Sequence, residues 1–323
     1  MDNALVLFES DPGFRKELEG ILSGYKITFN ESDNTDSIDA ETAGNATVIF
    51  GNPKADFLKL CTRLKWLQLQ SAGTNGFVSG EVKETVQLTS ATGCYGHAVS
   101  EHMLALTLAV MKKLHLYRDE QAACRWQNRG VVKSVQDAVV IAVGFGDLGT
   151  NYAKRMKALG AYVIGVDIIA RPKPDYADEL LLLEQLDEAI PRADVIALTI
   201  PGTKDTAGFF GQSKLAKMKK DAILINAGRG SAVDTEALCD ALEANALGGA
   251  GLEVTDPEPL PPEHRLWKFE NVLIPPHVAG GRYMPQTYQY IMKLNLENAR
   301  RFVRGEALKS LVDYKTGFCF PEK

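Results

Sequence analysis

No apolar run in this chain is long enough to cross a bilayer. The best candidate, Met103 to Met111, falls well short of the roughly 20 residues a spanning helix needs. The start lacks the pattern of a secretory signal: Met1-Asp2-Asn3 carries no basic residue, and the apolar stretch Ala4 to Phe8 stops at Glu9. Cysteine is sparse and unpatterned. The five (Cys61, Cys94, Cys124, Cys239, Cys319) are odd in number and show no C-x-x-C or metal-ligand spacing. Free thiols in a reducing cytoplasm are expected, and no metal site. An excess of basic residues is also missing: the formal net charge is −5 and the pI about 5.7. That leaves no general attraction for a phosphate backbone and argues against nucleic acid as a partner. A small anion held by one or two local cations is still allowed. Internal repeats and low-complexity tracts are absent.

What is present suits two globular domains. The chain has 323 residues, 45% hydrophobic and 24% charged. Short apolar runs alternate with amphipathic segments, the pattern of α/β folding. In the first hundred residues, strands are expected at Ala4–Phe8, Thr47–Phe50, Trp66–Gln70 and Val86–Thr89. A helix is expected from Pro12 to Leu22, with Asp11 as its cap and Pro12 in its first turn. Val99 to Leu116 reads as one long helix. Beyond it, Ala138–Val143, Tyr162–Val166, Val195–Thr199 and Ala222–Ile225 are nearly all apolar, as strands buried on both faces of a parallel sheet are. Helical segments separate them at Leu148–Leu159, Leu182–Ile190 and Thr235–Ala244. This is a doubly wound sheet. A last helix runs from about Pro285 to Arg304 and is expected to dock onto the N-terminal domain.

Gly144-Phe145-Gly146-Asp147-Leu148-Gly149 follows an apolar strand and opens a helix. In a dinucleotide-binding turn, Gly144 would permit the tight bend. Gly146 would let the backbone approach a pyrophosphate, and Gly149 would let helix and strand pack closely. The helix N-terminus offers unpaired N–H groups to that anion. Asp167 ends the next strand, where a carboxylate can accept both ribose hydroxyls of NAD and repel the 2′-phosphate of NADP. Arg171 and Lys173 lie just beyond it. NAD is therefore the expected cofactor, with NADP left open.

Hydride transfer to a 2-oxo acid needs a group that holds the carboxylate and polarises the carbonyl, a proton donor, and a group that tunes the donor. Arginine, histidine and a carboxylate suit these tasks. Of five histidines, His97 falls in a loop, His102 and His115 in the long helix, and His264 in a Pro-rich charged stretch. His277 follows a strand in Leu273-Ile274-Pro275-Pro276-His277, which places its ring at a sheet edge, where doubly wound folds put their sites.

Asn226-Ala227-Gly228-Arg229-Gly230, Asp256-Pro257-Glu258-Pro259-Leu260 and Pro276-His277-Val278-Ala279-Gly280 occur in that order. Leu64-Lys65-Trp66-Leu67-Gln68 and Ser71-Ala72-Gly73-Thr74-Asn75 precede them. Together, over nearly the whole chain, these segments resemble the D-isomer-specific 2-hydroxyacid dehydrogenase family. The resemblance implies a Rossmann cofactor domain over residues 99–284 and a flavodoxin-like substrate domain built from 1–98 and 285–323. Both are α/β, each with a doubly wound parallel sheet. It implies Arg229 on the substrate carboxylate and carbonyl, His277 as proton donor or acceptor, and Glu258 fixing the imidazole tautomer. The N–H groups of Ala72 and Gly73 would hold the carboxylate. Pro201 and Thr206 would line the adenosine and nicotinamide ribose. Ala227, Gly228, Glu253, Ala279 and Gly280 would contact the cofactor, Glu253 next to the nicotinamide amide. A homodimer through the cofactor domain is implied as well.

The chain departs from the family at Glu253, where Asp is usual, and at Pro275, where Thr is common. Its loop Ala91 to His97 is also unlike the commoner form; there Tyr95 is as readily a packing residue as a pocket residue. Three rivals share the fold. A formate dehydrogenase would carry glutamine at Glu258. A phosphoglycerate dehydrogenase needs a cation for the phosphate, and only Lys54 is near. A non-enzymatic NAD-sensing corepressor would have longer disordered extensions. A methyltransferase would leave the three catalytic segments unexplained.

Overall fold

The computed structural model describes residues 2–281 and 284–319. Residues 320–323, counted above with the C-terminal stretch, and 282–283 lie outside it. The chain forms two compact units, one of Met1–Tyr95 with Met284–Lys323 and one of Gly96–Tyr283.

In the first unit, strands β1 (Asp2–Leu7), β2 (Tyr25–Asn30), β3 (Ala46–Phe50), β4 (Trp66–Gln68) and β5 (Gln87–Thr89) form one sheet, all pairs parallel, in the order β2-β1-β3-β4-β5. Helices α1 (Pro12–Ile21), α2 (Ala40–Gly44) and α3 (Ala55–Leu60) connect them. Asp11 caps α1 by accepting the Phe14 N–H at 3.0 Å. The period of two along β1 splits the core. Ala4 and Val6 pack with Phe14, Leu18 and the C-terminal helix, whereas Leu5 and Leu7 pack with Phe57 and Leu58 on the other face. Each fully buried aliphatic side chain here contributes about 1.5–3 kcal/mol of transfer free energy. The C-terminal helix, Pro285–Arg304, lays Ile291, Met292, Leu296 and Ala299 into the first of these clusters. It packs with the N-terminal sheet, as expected. Trp66 is fully buried between Phe50 and Phe302, with ring centroids 4.9 and 5.0 Å away. Its Nε1 donates to Thr89 Oγ1 at 2.8 Å, which satisfies the one polar atom of the ring.

The second unit opens with α4 (Gly96–Met111) and α5 (Leu114–Ala122). One continuous helix was expected here. The chain instead breaks at Lys113, whose φ of 55° is left-handed and whose Nζ donates to Arg129 O at 2.6 Å. The sheet follows: β6 (Val139–Val143), β7 (Tyr162–Asp167), β8 (Glu179–Leu182), β9 (Val195–Leu198), β10 (Ile223–Asn226), β11 (Gly249–Leu252) and β12 (Val272–Leu273). All pairs are parallel, in the order β12-β11-β10-β9-β6-β7-β8. The order reverses at β6, and the loop after β6 lies at that switch point. Helices α6 (Asp147–Ala158), α7 (Leu186–Ala189), α8 (Gln212–Leu215) and α9 (Thr235–Glu243) complete the unit. The segment expected as a helix from Leu182 to Ile190 is a strand end, a 3-10 turn and the single turn α7. Strand β11 is rich in glycine where neighbours close in from the adjoining strands' ends and from α4. A Cβ on Gly251 would stand 2.9 Å from Ile225 Cδ1 and 3.1 Å from Leu106 Cβ, and one on Gly249 would stand 2.4 Å from Asn271 O and 3.1 Å from a Val110 methyl. Among the described residues, no helix is long and apolar enough to cross a membrane.

Candidate active site

The glycine loop has the geometry its sequence demands. Gly144 sits at φ 87°, a conformation that side chains disfavour. A Cβ on Gly149 would lie 2.0 Å from Gly144 O, so only hydrogen fits between helix and turn. At Gly146, the N-cap of α6, a Cβ would meet nothing within 4 Å, and no side chain caps the helix. Open space in front of uncapped N–H groups suits a pyrophosphate. Leu148, half-buried, completes the first turn. The Asp147 side chain is turned to another task. Its carboxylate accepts the Gly96 N–H at 2.8 Å and an Asn151 N–H at 3.0 Å, tying α6 to the start of α4. Burial raises its pKa, against those two bonds and the charge of Lys154.

Asp167 ends β7 as expected, but its carboxylate is already engaged. One oxygen accepts Ile168 N at 2.7 Å and Ile169 N at 3.3 Å. The other accepts Phe145 N at 3.1 Å and pairs with Arg171. Of the two cations noted in this loop, Lys173 is directed elsewhere, to Ala177 O at 2.8 Å. Arg171 alone stands at the carboxylate. Thr206 caps the turn after β9, its hydroxyl donating to Pro201 O at 2.6 Å and accepting Thr203 N at 2.8 Å. Ala227 and Gly228 lie against the end of β9. Ala227 N bonds Leu198 O at 3.0 Å, and a Cβ on Gly228 would lie 2.3 Å from Ile200 O.

Arg229 follows β10. Asn226, 1% exposed, shapes that turn by accepting Gly228 N at 3.2 Å and donating to Arg229 O at 3.0 Å. The sequence reading did not single out this asparagine as a site residue. Its signal was a lone amide at the end of an apolar strand. Burial lowers the pKa of the Arg229 guanidinium, and the negative charge of Glu258 opposes that shift. Glu258 is therefore electrostatically close to Arg229. It also reaches His277, with 2.5 Å between Oε1 and Nδ1 and both side chains about half-exposed. His277 has a φ of 52°, a left-handed backbone that few non-glycine residues adopt.

Glu253 is 2% exposed. Its Oε1 accepts the Ala279 N–H at 2.6 Å, one residue before Gly280. Its Oε2 lies 2.9 Å from His102 Nε2, off the line of a hydrogen bond, and neither atom has another partner among the described residues. A buried acceptor with spare capacity fits a carboxamide donor from a nicotinamide. Together with the open, uncapped turn at Gly146, it fits the residues present to a dinucleotide. The described residues hold no group of three or more His, Cys, Asp and Glu that could hold a metal ion.

In the first unit, Ala72 and Gly73 occupy the loop after β4. Asn52 braces that loop, accepting Gln70 N at 2.8 Å and donating to Ser71 Oγ at 2.8 Å. Ser71 Oγ donates in turn to Gly73 O at 2.7 Å. Tyr95, left open between pocket and packing, donates its hydroxyl to Gln70 O at 2.6 Å, and burial pushes its pKa up to about 12.

A glycine turn at the switch point of a parallel sheet, and a carboxylate-bound histidine past its last strand, define a dinucleotide-dependent oxidoreductase. The chain belongs to the D-isomer specific 2-hydroxyacid dehydrogenases: the model of that family's NAD binding domain matches residues 104–279. It is an NAD(P)-dependent enzyme of small 2-hydroxy and 2-oxo acids. It is 30% identical to a glyoxylate reductase of Thermofilum pendens, over 80% of this chain and 78% of that protein. Among solved structures, a D-isomer specific 2-hydroxyacid dehydrogenase family protein from Aeromonas salmonicida matches with a TM-score of 0.85 and 27% identity, over 97% of this chain and 99% of that one. A D-isomer specific 2-hydroxyacid dehydrogenase from Xanthobacter autotrophicus Py2, in complex with NADPH and MES, matches with a TM-score of 0.81 and 25% identity, over 98% of this chain and 100% of that one.

Proposed function

We propose that this chain reduces a small 2-oxo acid, of the size of glyoxylate, hydroxypyruvate or pyruvate, to its D-2-hydroxy acid. The observation that carries this reading is the 2.5 Å contact between His277 and Glu258, with Arg229 within reach of the same carboxylate's charge. When bound, the reduced nicotinamide supplies the hydride that reaches C2. Arg229 binds the substrate's carboxylate and carbonyl oxygens through its guanidinium fork. Glu258 accepts a hydrogen bond from Nδ1–H of the imidazolium, which leaves Nε2–H as the edge that gives its proton to the carbonyl oxygen. In oxidation, the neutral Nε2 takes that proton back.

The glycine turn from Gly144 to Gly149 would hold the pyrophosphate, Asp167 the ribose, and Pro201 and Thr206 the neighbouring sugars. Ala227, Gly228, Glu253, Ala279 and Gly280 would hold the nicotinamide. NAD is the preferred cofactor because Asp167 stands where a 2′-phosphate would come. The pairing of Arg171 with that carboxylate supports NADP as a second substrate of the same site.

Phosphoglycerate is disfavoured, since Asn52 is committed to its own loop and Lys54 is an exposed residue at the start of α3. A cytoplasmic location agrees with five unbridged cysteines. A homodimer through the cofactor domain agrees with Trp126 and Val131, which are 106% and 90% exposed on the segment after α5. Trp126→Ser should then shift the chain to monomer in light scattering. The decisive experiment is oxidation of NADH and NADPH with a panel of 2-oxo acids. Turnover of at least one small member is expected. No turnover with any of them, despite dinucleotide binding, would point to an NAD-sensing role instead.

A further inference from the structure

His102 is two contacts away from the proton-donating histidine. Its Nε2 lies 2.9 Å from Glu253 Oε2, and Glu253 Oε1 holds the Ala279 N–H at 2.6 Å. Ala279 is the second residue after His277, and the backbone between them starts from a left-handed conformation. Among the described residues, that bond to Glu253 is the one hydrogen bond that fixes the backbone from His277 to Gly281. The Glu253 carboxylate therefore holds the backbone two residues past His277, while the ring itself contacts Glu258.

That carboxylate is 2% exposed, and His102 is the only basic side chain within ion-pair distance of it among the described residues. A buried carboxylate without a counter-group is costly and would turn toward whatever donor it can find. The longer side chain at this position matters. Glutamate spans from the end of β11 to both α4 and the 277–281 segment, and its two oxygens serve different partners. Oε2 faces His102 at ion-pair distance without a hydrogen bond, so its lone pairs stay open to a carboxamide N–H.

We propose that His102 is a positioning residue for proton transfer: it holds Glu253 so that the carboxylate clamps Ala279 and thereby sets the imidazole of His277 against Glu258. His102 itself touches none of the reacting atoms. The inference rests on His277 being the proton donor.

The test compares His102→Ala and His102→Gln with the wild type, as full-length protein, in two measurements. With glyoxylate and NADH, His102→Ala should lower kcat about tenfold at saturating NADH. In hydrogen–deuterium exchange of the cofactor-free protein, the Ala279 amide should exchange about tenfold faster. His102→Gln, which keeps an N–H donor near the place of Nε2, should recover most of both. If the alanine variant does not fold, His102→Phe keeps the volume, removes the donor and should show the same losses. Unchanged kcat, unchanged Ala279 exchange, or a glutamine variant as impaired as alanine would each overturn the proposal. If the wild type reduces no 2-oxo acid, the proposed function falls, while the exchange measurement still decides whether His102 sets the clamp.

Discussion

Glu258 Oε1 stands 2.5 Å from Nδ1 of His277, across nineteen residues of chain and a run of prolines. The contact commits one ring nitrogen to the carboxylate and frees the other for chemistry. His277→Ala should therefore lower kcat for 2-oxo acid reduction by about 10²–10⁴-fold, the range that a positioned acid contributes. NADH affinity, read by fluorescence titration, should stay nearly intact. An equal loss of cofactor binding would count against the proton-donor role.

Glu258→Gln keeps the shape and removes the charge. We expect kcat to fall by about 10–100-fold, since the tautomer is no longer enforced. Because both side chains are about half-exposed, Tm should hardly move. A large drop in Tm with kcat preserved would make the pair a structural one.

At the end of β7, Asp167 and Arg171 pull the cofactor choice in opposite directions. Asp167→Ala should narrow the preference for NADH over NADPH, measured as the ratio of kcat/KM values. Arg171→Ala should widen it, because the cation paired with the carboxylate is the nearest counter-charge for a 2′-phosphate. If neither ratio moves, the adenosine end is read by other residues.

Two glycines of one turn should fail in different ways. Gly149→Ala forces a methyl to within 2.0 Å of Gly144 O and should cost about 2–3 kcal/mol, lowering Tm by roughly 4–10 °C. Gly146→Ala meets no atom, so Tm should stay within about 3 °C. Its cost should appear as weaker NADH binding, by about tenfold, because the methyl occupies the approach of the pyrophosphate. Calorimetry and titration separate the two effects.

Strands such as β6 and β9 were legible because burial on both faces leaves an unbroken apolar run. Strand β11 was not, because Gly249 and Gly251 answer to neighbours distant in sequence, Asn271 and Val110 for the first and Ile225 and Leu106 for the second, a pressure that leaves no local pattern. Strand β8 was not expected; the helix expected from Leu182 began at its last residue. The break at Lys113 was hidden because both sides of it are helical and the deciding contact, with Arg129, lies across a loop. In the site, Arg229, Glu258 and His277 were singled out through the resemblance of their segments to a family, since residue type alone left His277 little better than an even choice; the contact between Glu258 and His277 exists only in the fold. Asn226 and His102 were not, since each acts through a neighbour that only folding supplies. The engagement of Asp167 with its own loop was invisible for the same reason.

Helix α4 is tethered twice, at its first N–H by Asp147 of the glycine turn and at His102 beside Glu253. A redesign that put a cation at Asp147, to grip phosphate more tightly, would cut the first tether. Its effect would pass along the helix to the support of the proton donor, so a gain in coenzyme affinity would come with slower chemistry. Engineering this scaffold toward the phosphorylated coenzyme should therefore begin at the outer end of β7 and leave the turn's own acid in place.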